Sequence, residues 1–216
     1  MKVTVVLAVA SLLAGCMSTH APQRFHVLEV PPAAPRPEPA AVSSRTLLVL
    51  PTTANAFYDA EAIAYSSSPG LRSHYQINSW AERPSHRVGA LLTQRLTESG
   101  AFRSVAGAED GVRGSLVLAT HLAEMYHDAT GTPGSVRIVL TAVLSDPGRH
   151  AIVGQHRFVV SAPVPTADAA GAVRGLDSAM GQLLDQLVAW TAGAAARSGS
   201  TAAVAHAAPV SGSAPD

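Results

Sequence analysis

Apolar residues recur at helical spacing in the segment that follows Pro84, and the pattern predicts an amphipathic helix from Ser85 to Ser99. The apolar positions on one face are Val88, Leu91, Leu92 and Leu96. The polar positions on the other faces are Arg87, Thr93, Gln94, Arg95 and Glu98. Pro84 suits the start of such a helix and Gly100 its end, because proline fits the first turn and glycine follows the last.

A second helical pattern runs from Asp168 to Ala194. Its apolar stripe consists of Val173, Leu176, Met180, Leu183, Leu184 and Leu187. Gly171, Gly175 and Gly181 interrupt the segment, and each costs about 1 kcal/mol of helix propensity relative to alanine. Packing of the apolar stripe, rather than propensity, is therefore expected to stabilise this helix.

Three long stretches between these helices have the character of β-strands: Ser115 to His127, Ser135 to Ser145, and Ala151 to Ala162. Residues 128–134 and 146–148 carry turn chemistry, so consecutive antiparallel pairing is expected. In the second strand the residues expected on one face are Val136, Ile138, Leu140, Ala142 and Leu144. In the third they are Ile152, Phe158 and Val160.

Two further stretches lie closer to the N-terminus. Arg24 to Val30 alternates in a way that suits a short strand, and Thr46 to Leu50 is an apolar run typical of a buried strand. Between them, a loop over residues 31–44 holds five prolines from Pro31 to Pro39. Proline lacks the N–H that a strand ladder needs, so this loop is expected to act as a spacer.

The first sixteen residues have the layout of a signal peptide. Lys2 precedes the run from Val3 to Leu13, which is apolar except for Thr4 and Ser11. Eleven helical residues cover about 16 Å, roughly half of a bilayer core, so a permanent membrane span is the weaker interpretation. Residues 13–16, Leu-Ala-Gly-Cys, resemble the lipobox of bacterial lipoproteins. This resemblance implies cleavage before Cys16 and acylation of its sulfur; the alternative is a soluble secreted protein cut elsewhere.

These signals divide the chain. Residues 1–15 are interpreted as a lipoprotein signal peptide, 16–23 as the lipidated N-terminus and tether, 24–195 as the folded domain, and 196–216 as a disordered tail of small residues. Cys16 is the single cysteine, so an intrachain disulfide is excluded. Met17 follows it, where the lipoprotein resemblance would associate an aspartate with inner-membrane retention. The expected location is therefore the outer membrane, facing the periplasm, with the inner membrane as the weaker alternative.

Composition narrows the classes of partner. The 216 residues include 15 Lys plus Arg and 15 Asp plus Glu, so the formal net charge is zero. A nucleic-acid binder normally carries a basic excess, so no nucleic acid is expected as a partner. Charged residues make up 14% of the chain, whereas hydrophobic residues make up 47%, enough for a core.

Motifs for catalysis, cofactors or metals are not found, so none of these is expected. The chain has no Gly-x-Ser-x-Gly elbow, no phosphate loop ending in Gly-Lys and no His-Glu-x-x-His. The pairs His121 with His127 and His150 with His156 are each six apart in predicted strands, about 20 Å, too far to share a metal. These histidines are expected to be partly exposed strand residues. Asp110, Asp128 and Asp146 are expected to serve as turn residues, because each lies in a likely turn beside Gly or Thr.

Order and spacing from residue 56 to residue 105 resemble the ABC-type transport auxiliary lipoprotein family, the PqiC-like lipoproteins. The recognisable unit is Trp-Ala-Glu-Arg-Pro at 80–84, leading into the predicted helix and closing with Ser-Gly-Ala-Phe at 99–102. The residues that carry the match, with structural roles expected, are Tyr75, Trp80, Pro84, Leu92, Leu96, Gly100 and Phe102. The similarity continues to Trp190.

This resemblance implies an α+β fold, a small mixed, largely antiparallel β-sheet with two main helices packed against it, which agrees with the strand and helix patterns above. It also implies a non-enzymatic accessory subunit whose partners are MCE-domain and ABC transporter subunits that move lipids between membranes. Membrane lipid is expected as a partner through acylation of Cys16, and whether the chain forms a homo-oligomer is left open. The alternatives are an assembly lipoprotein of another envelope machine and, from a different class, an anchored hydrolase.

Overall fold

The computed structural model describes residues 22–33 and 42–206, and Cys16 lies outside them. Two α-helices are formed, α1 at Pro84–Glu98 and α2 at Ala169–His206. Nine strands in the described residues join one sheet: β1 (Arg24–His26), β2 (Ser43–Val49), β3 (Thr53–Ala54), β4 (Ala62–Ser66), β5 (Ser73–Trp80), β6 (Phe102–Gly107), β7 (Leu116–Asp128), β8 (Ser135–Asp146) and β9 (Ala151–Pro163). The α+β prediction is confirmed.

Strand β7 is the centre of the sheet. Along one side it pairs with β8 in antiparallel register, and β8 pairs in turn with β9, so the predicted run of consecutive antiparallel strands is confirmed. Along its other side, β7 pairs in parallel with three strands in succession: β2 near its start, β3 at its middle and β4 at its end. Beyond these, β6 pairs with β2, while β5 and then β1 extend from β4.

The helices cover one face of this sheet. Helix α2 packs against β8 and β9, and α1 packs against β6 and α2. The predicted inward face of β8 is confirmed, since its five members are all fully buried. The same holds for the apolar face of α1, whose four predicted members are buried. Leu96, close to the end of α1, is 0% exposed.

On β9, the predicted face is wrong at one position. Phe158 and Val160 are buried, but Ile152 is 68% exposed. The ladder between β8 and β9 changes register between Leu144 and Ser145, which pair with Gly154 and Ile152. Such a bulge inserts one extra residue and reverses the alternation of side chains beyond it. Val153 therefore packs against the core in place of Ile152.

Short strands account for most of the remaining differences. The pattern at 24–30 predicted one strand, yet β1 ends at His26 because the following residues leave the sheet for the helices. Strands β3, β4, β5 and β6 were not predicted. Each has at most eight residues and lacks a long alternating pattern, so the sheet partners rather than the local sequence specify them.

Helix α2 is longer than expected. Asp168 caps its start by accepting a hydrogen bond from the Gly171 N–H, and the helix continues to His206. The boundary of the disordered tail, expected at residue 196, is therefore wrong for residues 196–206. Ser198 contacts the rest of the fold through both Arg45 and Arg149. Among the described helices, none is both long and apolar enough to cross a membrane.

Candidate functional site

The residues that carry the family resemblance form the junction between β5, α1 and β6. Trp80, Phe102 and both leucines of the motif, Leu92 and Leu96, are buried in the core, and Pro84 is buried at the start of α1. Gly100 follows Ser99, the residue that caps the end of α1, and has a φ of 61°, a left-handed backbone conformation that favours glycine. These contacts are structural: the unit fixes the angle at which the chain enters and leaves α1.

Tyr75 has a different environment from the other motif residues. Its hydroxyl lies 2.8 Å from Nδ1 of His127, and burial raises the pKa of the Tyr75 phenol. His127 is fully buried, so the expectation that it would be partly exposed is wrong. Burial also lowers the pKa of its imidazole, which favours the neutral ring at pH 7. The pair therefore links β5 to β7 through one uncharged hydrogen bond.

All four tyrosines of the chain lie at this end of the sheet. Tyr65 packs against Tyr75, and Tyr58 stacks with Tyr126. The Arg72 guanidinium lies 3.9 Å from the centre of the Tyr126 ring and donates to the Tyr58 hydroxyl. The cation–π contact with Tyr126 and the hydrogen bond to Tyr58 both involve Arg72, so this cluster holds the loops before and after β4 together.

A groove of about 770 Å³ lies beside α1, on the side away from α2. One wall is the outer face of α1, from Ser85 to Glu98, and the other is formed by residues 49–52 and 107–110. At its floor, Gly89 lies so close to Thr52 that an added Cβ would be 3.3 Å from the Thr52 hydroxyl. That hydroxyl is hydrogen-bonded to Thr120 at 2.8 Å, which anchors the floor to β7.

The groove has a mixed lining with carboxylates on both walls. Ala90, Thr93 and Leu50 supply apolar and hydroxyl surface. Glu98 lies on the α1 wall at the end of the helix, whereas Glu109 and Asp110 lie on the other wall, directly after β6. Such a surface is suited to a segment of a partner protein that places a basic group beside one of these carboxylates.

Serine, histidine and aspartate all line the groove, but they do not form a catalytic triad. His86 is paired with Glu82, one turn earlier on the chain, at 2.5 Å. Asp110 accepts a hydrogen bond from the Gly107 N–H, as expected for a turn residue. Asp128 and Asp146 likewise accept backbone N–H groups in their turns, which confirms that prediction. Within the two described ranges, no group of three or more metal-ligating side chains is found.

The segment that connects the N-terminus to the domain, residues 22–33, is called here the N-terminal strap. After β1, it crosses the two helices: Leu28 is buried, and its carbonyl accepts from Arg87 of α1. The carbonyl of Pro31 accepts from Arg95, and the pyrrolidine ring lies 3.2 Å from the position of a Cβ on Gly181. The strap therefore ties the chain that leads from Cys16 to both helices.

Arg95 was predicted on the polar face of α1, but it is only 4% exposed. It bridges three parts of the fold, since it also pairs with Asp185 of α2 at 3.3 Å. The apolar pattern of α1 predicts a single buried face, whereas α1 contacts the sheet on one side and the strap and α2 on another. The helical pattern alone therefore does not identify Arg95 as buried, because its burial depends on the positions of the strap and α2.

Asp177 holds the strap from α2. Its Oδ1 accepts the Glu29 N–H at 2.9 Å. Burial raises the pKa of the Asp177 carboxyl to about 6, and the nearby Glu29 charge acts in the same direction, whereas the hydrogen bond and His26 oppose the shift. Nothing in the amino-acid pattern marked the groove, the strap or Asp177, because each depends on segments that are distant in sequence.

Two solved structures of other proteins share this architecture. The chain aligns with the structure of protein XCC0632 from Xanthomonas campestris at 22% identity with a TM-score of 0.73, covering 82% of this chain and 99% of that one. An uncharacterized protein aligns at 13% identity and a TM-score of 0.62, over 78% of this chain and 97% of that chain. Both show the same fold.

No curated protein matches the sequence. A family model, however, matches residues 26–188, from the last residue of β1 to the middle of α2. That range includes the groove walls and most of the strap. The chain belongs to the family of ABC-type transport auxiliary lipoprotein components.

Proposed function

We propose that the protein is a non-enzymatic lipoprotein, anchored through acylated Cys16 to the outer membrane and facing the periplasm, that docks an MCE-domain channel of an ABC-type lipid-transport system. The observation that carries this proposal is the family match over residues 26–188. The absence of a triad in the groove gives no support to the anchored hydrolase. An assembly role in another envelope machine would use a different partner, and the same experiment distinguishes it.

The attachment is tested at Cys16. Because a four-residue lipobox ends at this sole cysteine, Cys16→Ala is expected to remove acylation and release the protein from membranes. Intact mass of the wild type should show a chain that begins at Cys16 and carries lipid, whereas the variant should appear in the soluble envelope fraction. A wild-type chain without lipid mass, or one that begins elsewhere, would reject the anchor.

The groove beside α1 is the docking surface in this proposal. It encloses about 770 Å³, and most of its lining residues are uncharged. Its carboxylates complement a basic side chain on an MCE-domain segment. Since apolar and hydrogen-bonding contacts make up most of the lining, the association is expected to survive moderate salt.

Crosslinked affinity purification from envelopes tests the partner and the groove together. Ala90 is exposed in the groove wall, so Ala90→Arg should fill the groove and reduce recovery of MCE-domain and ABC transporter subunits at least about tenfold, as for an obstructed interface centre. Gln182→Arg adds the same charge at an exposed site of α2 outside the groove and should leave recovery unchanged.

Three outcomes would contradict the proposal. Equal loss in both arginine variants would indicate a charge effect and not a groove. Loss of the wild-type complex at high salt would reject contact by apolar and hydrogen-bonding groups. Recovery of a different envelope machine, without MCE-domain partners, would favour the assembly role. Light scattering of the purified protein would separately determine whether it forms a homo-oligomer.

A further inference from the structure

Exposed apolar side chains are unevenly distributed over this domain. Nine large apolar residues are exposed within the described ranges: Phe25, Val27, Val42, Phe57, Leu71, Ile77, Val112, Ile152 and Val159. Three of these nine, Phe25, Val27 and Ile77, lie on β1, directly after β1 or on β5. Phe25 is 65% exposed, although an aromatic side chain in water loses the stabilisation that burial would give it.

Strand register places two of these residues on one face. β1 pairs in parallel with β5, with Phe25 opposite Ser79. The Gln23 side chain donates to the Ser79 hydroxyl, and His26 contacts Asn78, so odd-numbered residues share one face here and even-numbered residues the other. Because side chains alternate along a strand, Ile77 lies on the face of Ser79 and Phe25. We call Phe25, Val27 and Ile77 the β1 edge patch.

The β1 edge patch is also the part of the domain nearest to Cys16 along the chain. The six residues from Met17 to Pro22 separate the cysteine from Gln23, so the seven extended steps from Cys16 to Gln23 reach at most about 25 Å. Gln23 is already fixed by Ser79. A lipid on Cys16 would therefore hold β1 close to the bilayer surface, and the short leash raises the effective concentration of lipid at the patch.

We infer that the β1 edge patch rests on the membrane surface, with Phe25 and Ile77 inserted among the lipid headgroups. This inference rests on the acylation of Cys16 in the proposed function. Aromatic and branched apolar side chains stabilise such interfacial contacts. The contact orients the domain: the membrane meets the β1 edge of the sheet, and β9, at the opposite end of the strand order, points away from it.

Tryptophan scanning of the acylated full-length protein tests this orientation. The protein is reconstituted into vesicles of phosphatidylethanolamine and phosphatidylglycerol whose acyl chains are brominated near the headgroups. Bromine quenches tryptophan fluorescence only at short range, so quenching reports that the side chain lies in the lipid. Phe25→Trp and Ile77→Trp are the probes at the patch. Val112→Trp and Ile152→Trp are matched controls at exposed apolar positions elsewhere. The emission of native Trp80 and Trp190 is subtracted by using the wild type.

Emission from positions 25 and 77 should shift to the blue and lose intensity in brominated vesicles, while positions 112 and 152 should emit as in water. Circular dichroism shows whether each variant is folded. If one of the two patch variants does not fold, the other is sufficient for the test. Equal quenching at all four positions, or quenching at the controls alone, would overturn the inference. So would unquenched patch probes on protein whose intact mass includes lipid, a result that leaves the proposed anchor intact. A chain without lipid mass would overturn both.

Discussion

Gly171, Gly175 and Gly181 lie where α2 comes closest to other parts of the fold. From the sequence, they were interpreted only as weak points of helix propensity. In the structure, a Cβ on Gly175 would lie 3.0 Å from side chains of Val136 and Val164. On Gly181 it would meet the strap at Pro31. Propensity could therefore be predicted at these positions, but the close approach could not, because it depends on distant segments.

At Gly171 the neighbour is backbone, which makes a clear test. An added Cβ would lie 2.0 Å from the carbonyl oxygen of Thr166, so Gly171→Ala should force the turn before α2 to shift and lower the free energy of unfolding by about 1–3 kcal/mol. Gly193→Ala is the matched control. Only the end of the flexible Arg197 side chain is near it, so helix propensity should raise stability by up to about 1 kcal/mol.

Chemical denaturation of both variants gives the comparison. A stabilised Gly171→Ala protein would show that the turn before α2 accommodates a methyl group, and that propensity alone governs the position. Equal destabilisation in both variants would show that alanine is unfavourable in α2 for some reason other than the Thr166 carbonyl.

At the scale of elements, length and periodicity decided what could be predicted. Helix α1, the start of α2 and the three long strands were predicted within a few residues because each repeats one pattern over at least ten positions. The short strands and the strap have no such repeat, and their positions depend on partners. The strap pairs with β5 and then with groups on α1 and α2, including Asp177.

Asp177 makes the stability of the strap depend on pH. Its folded-state pKa of about 6 is higher than the unfolded value of 3.8, so the folded protein favours the protonated carboxyl. Stability from this group is fully present below about pH 4 and is lost as pH rises through 6. The side chain is half-buried, so solvent screening reduces the expected loss to about 1–2 kcal/mol.

Thermal or chemical unfolding of the wild type and Asp177→Asn at pH 4 to 7.5 measures this contribution. The difference in stability between the two proteins should change in favour of the asparagine variant as pH rises through 6, because asparagine keeps an acceptor for the Glu29 N–H without a charge. Other titrating groups, such as His127, are common to both proteins and cancel. A pH-independent difference would contradict the raised pKa.

At the scale of the whole molecule, the sequence predicted one side of β7 and not the other. Strands β8 and β9 follow it directly through short turns, so their pairing is local and predictable. The parallel partners β2, β3 and β4 come from earlier in the chain, and their order along β7 has no sequence signature. The end of α2 was also missed, because Ala, Ser and Gly form helix here with support from Arg45 and Arg149.

Deletion of the chain after Ala196 tests that end. The truncation removes Ser198, which accepts from Arg45 and is bonded through its carbonyl to Arg149. We expect a loss of about 1–2 kcal/mol in stability from these hydrogen bonds, with the MCE-domain partner still recovered, since the groove is elsewhere. Unchanged stability would favour a tail without structural role, and loss of the partner would assign the tail a part in docking.

The position of β7 determines how the molecule opens. Its amides and carbonyls are paired on both sides, by the full length of β8 and by three separate strands, so opening of any one of those strands leaves β7 in place. Hydrogen exchange at β7 and β8 is therefore expected to require global unfolding, while β1, β3 and the groove wall at 107–110 are expected to exchange through smaller, local openings. The docking and the membrane contact proposed above would then rearrange those segments while the β7–β8–β9 unit stays folded.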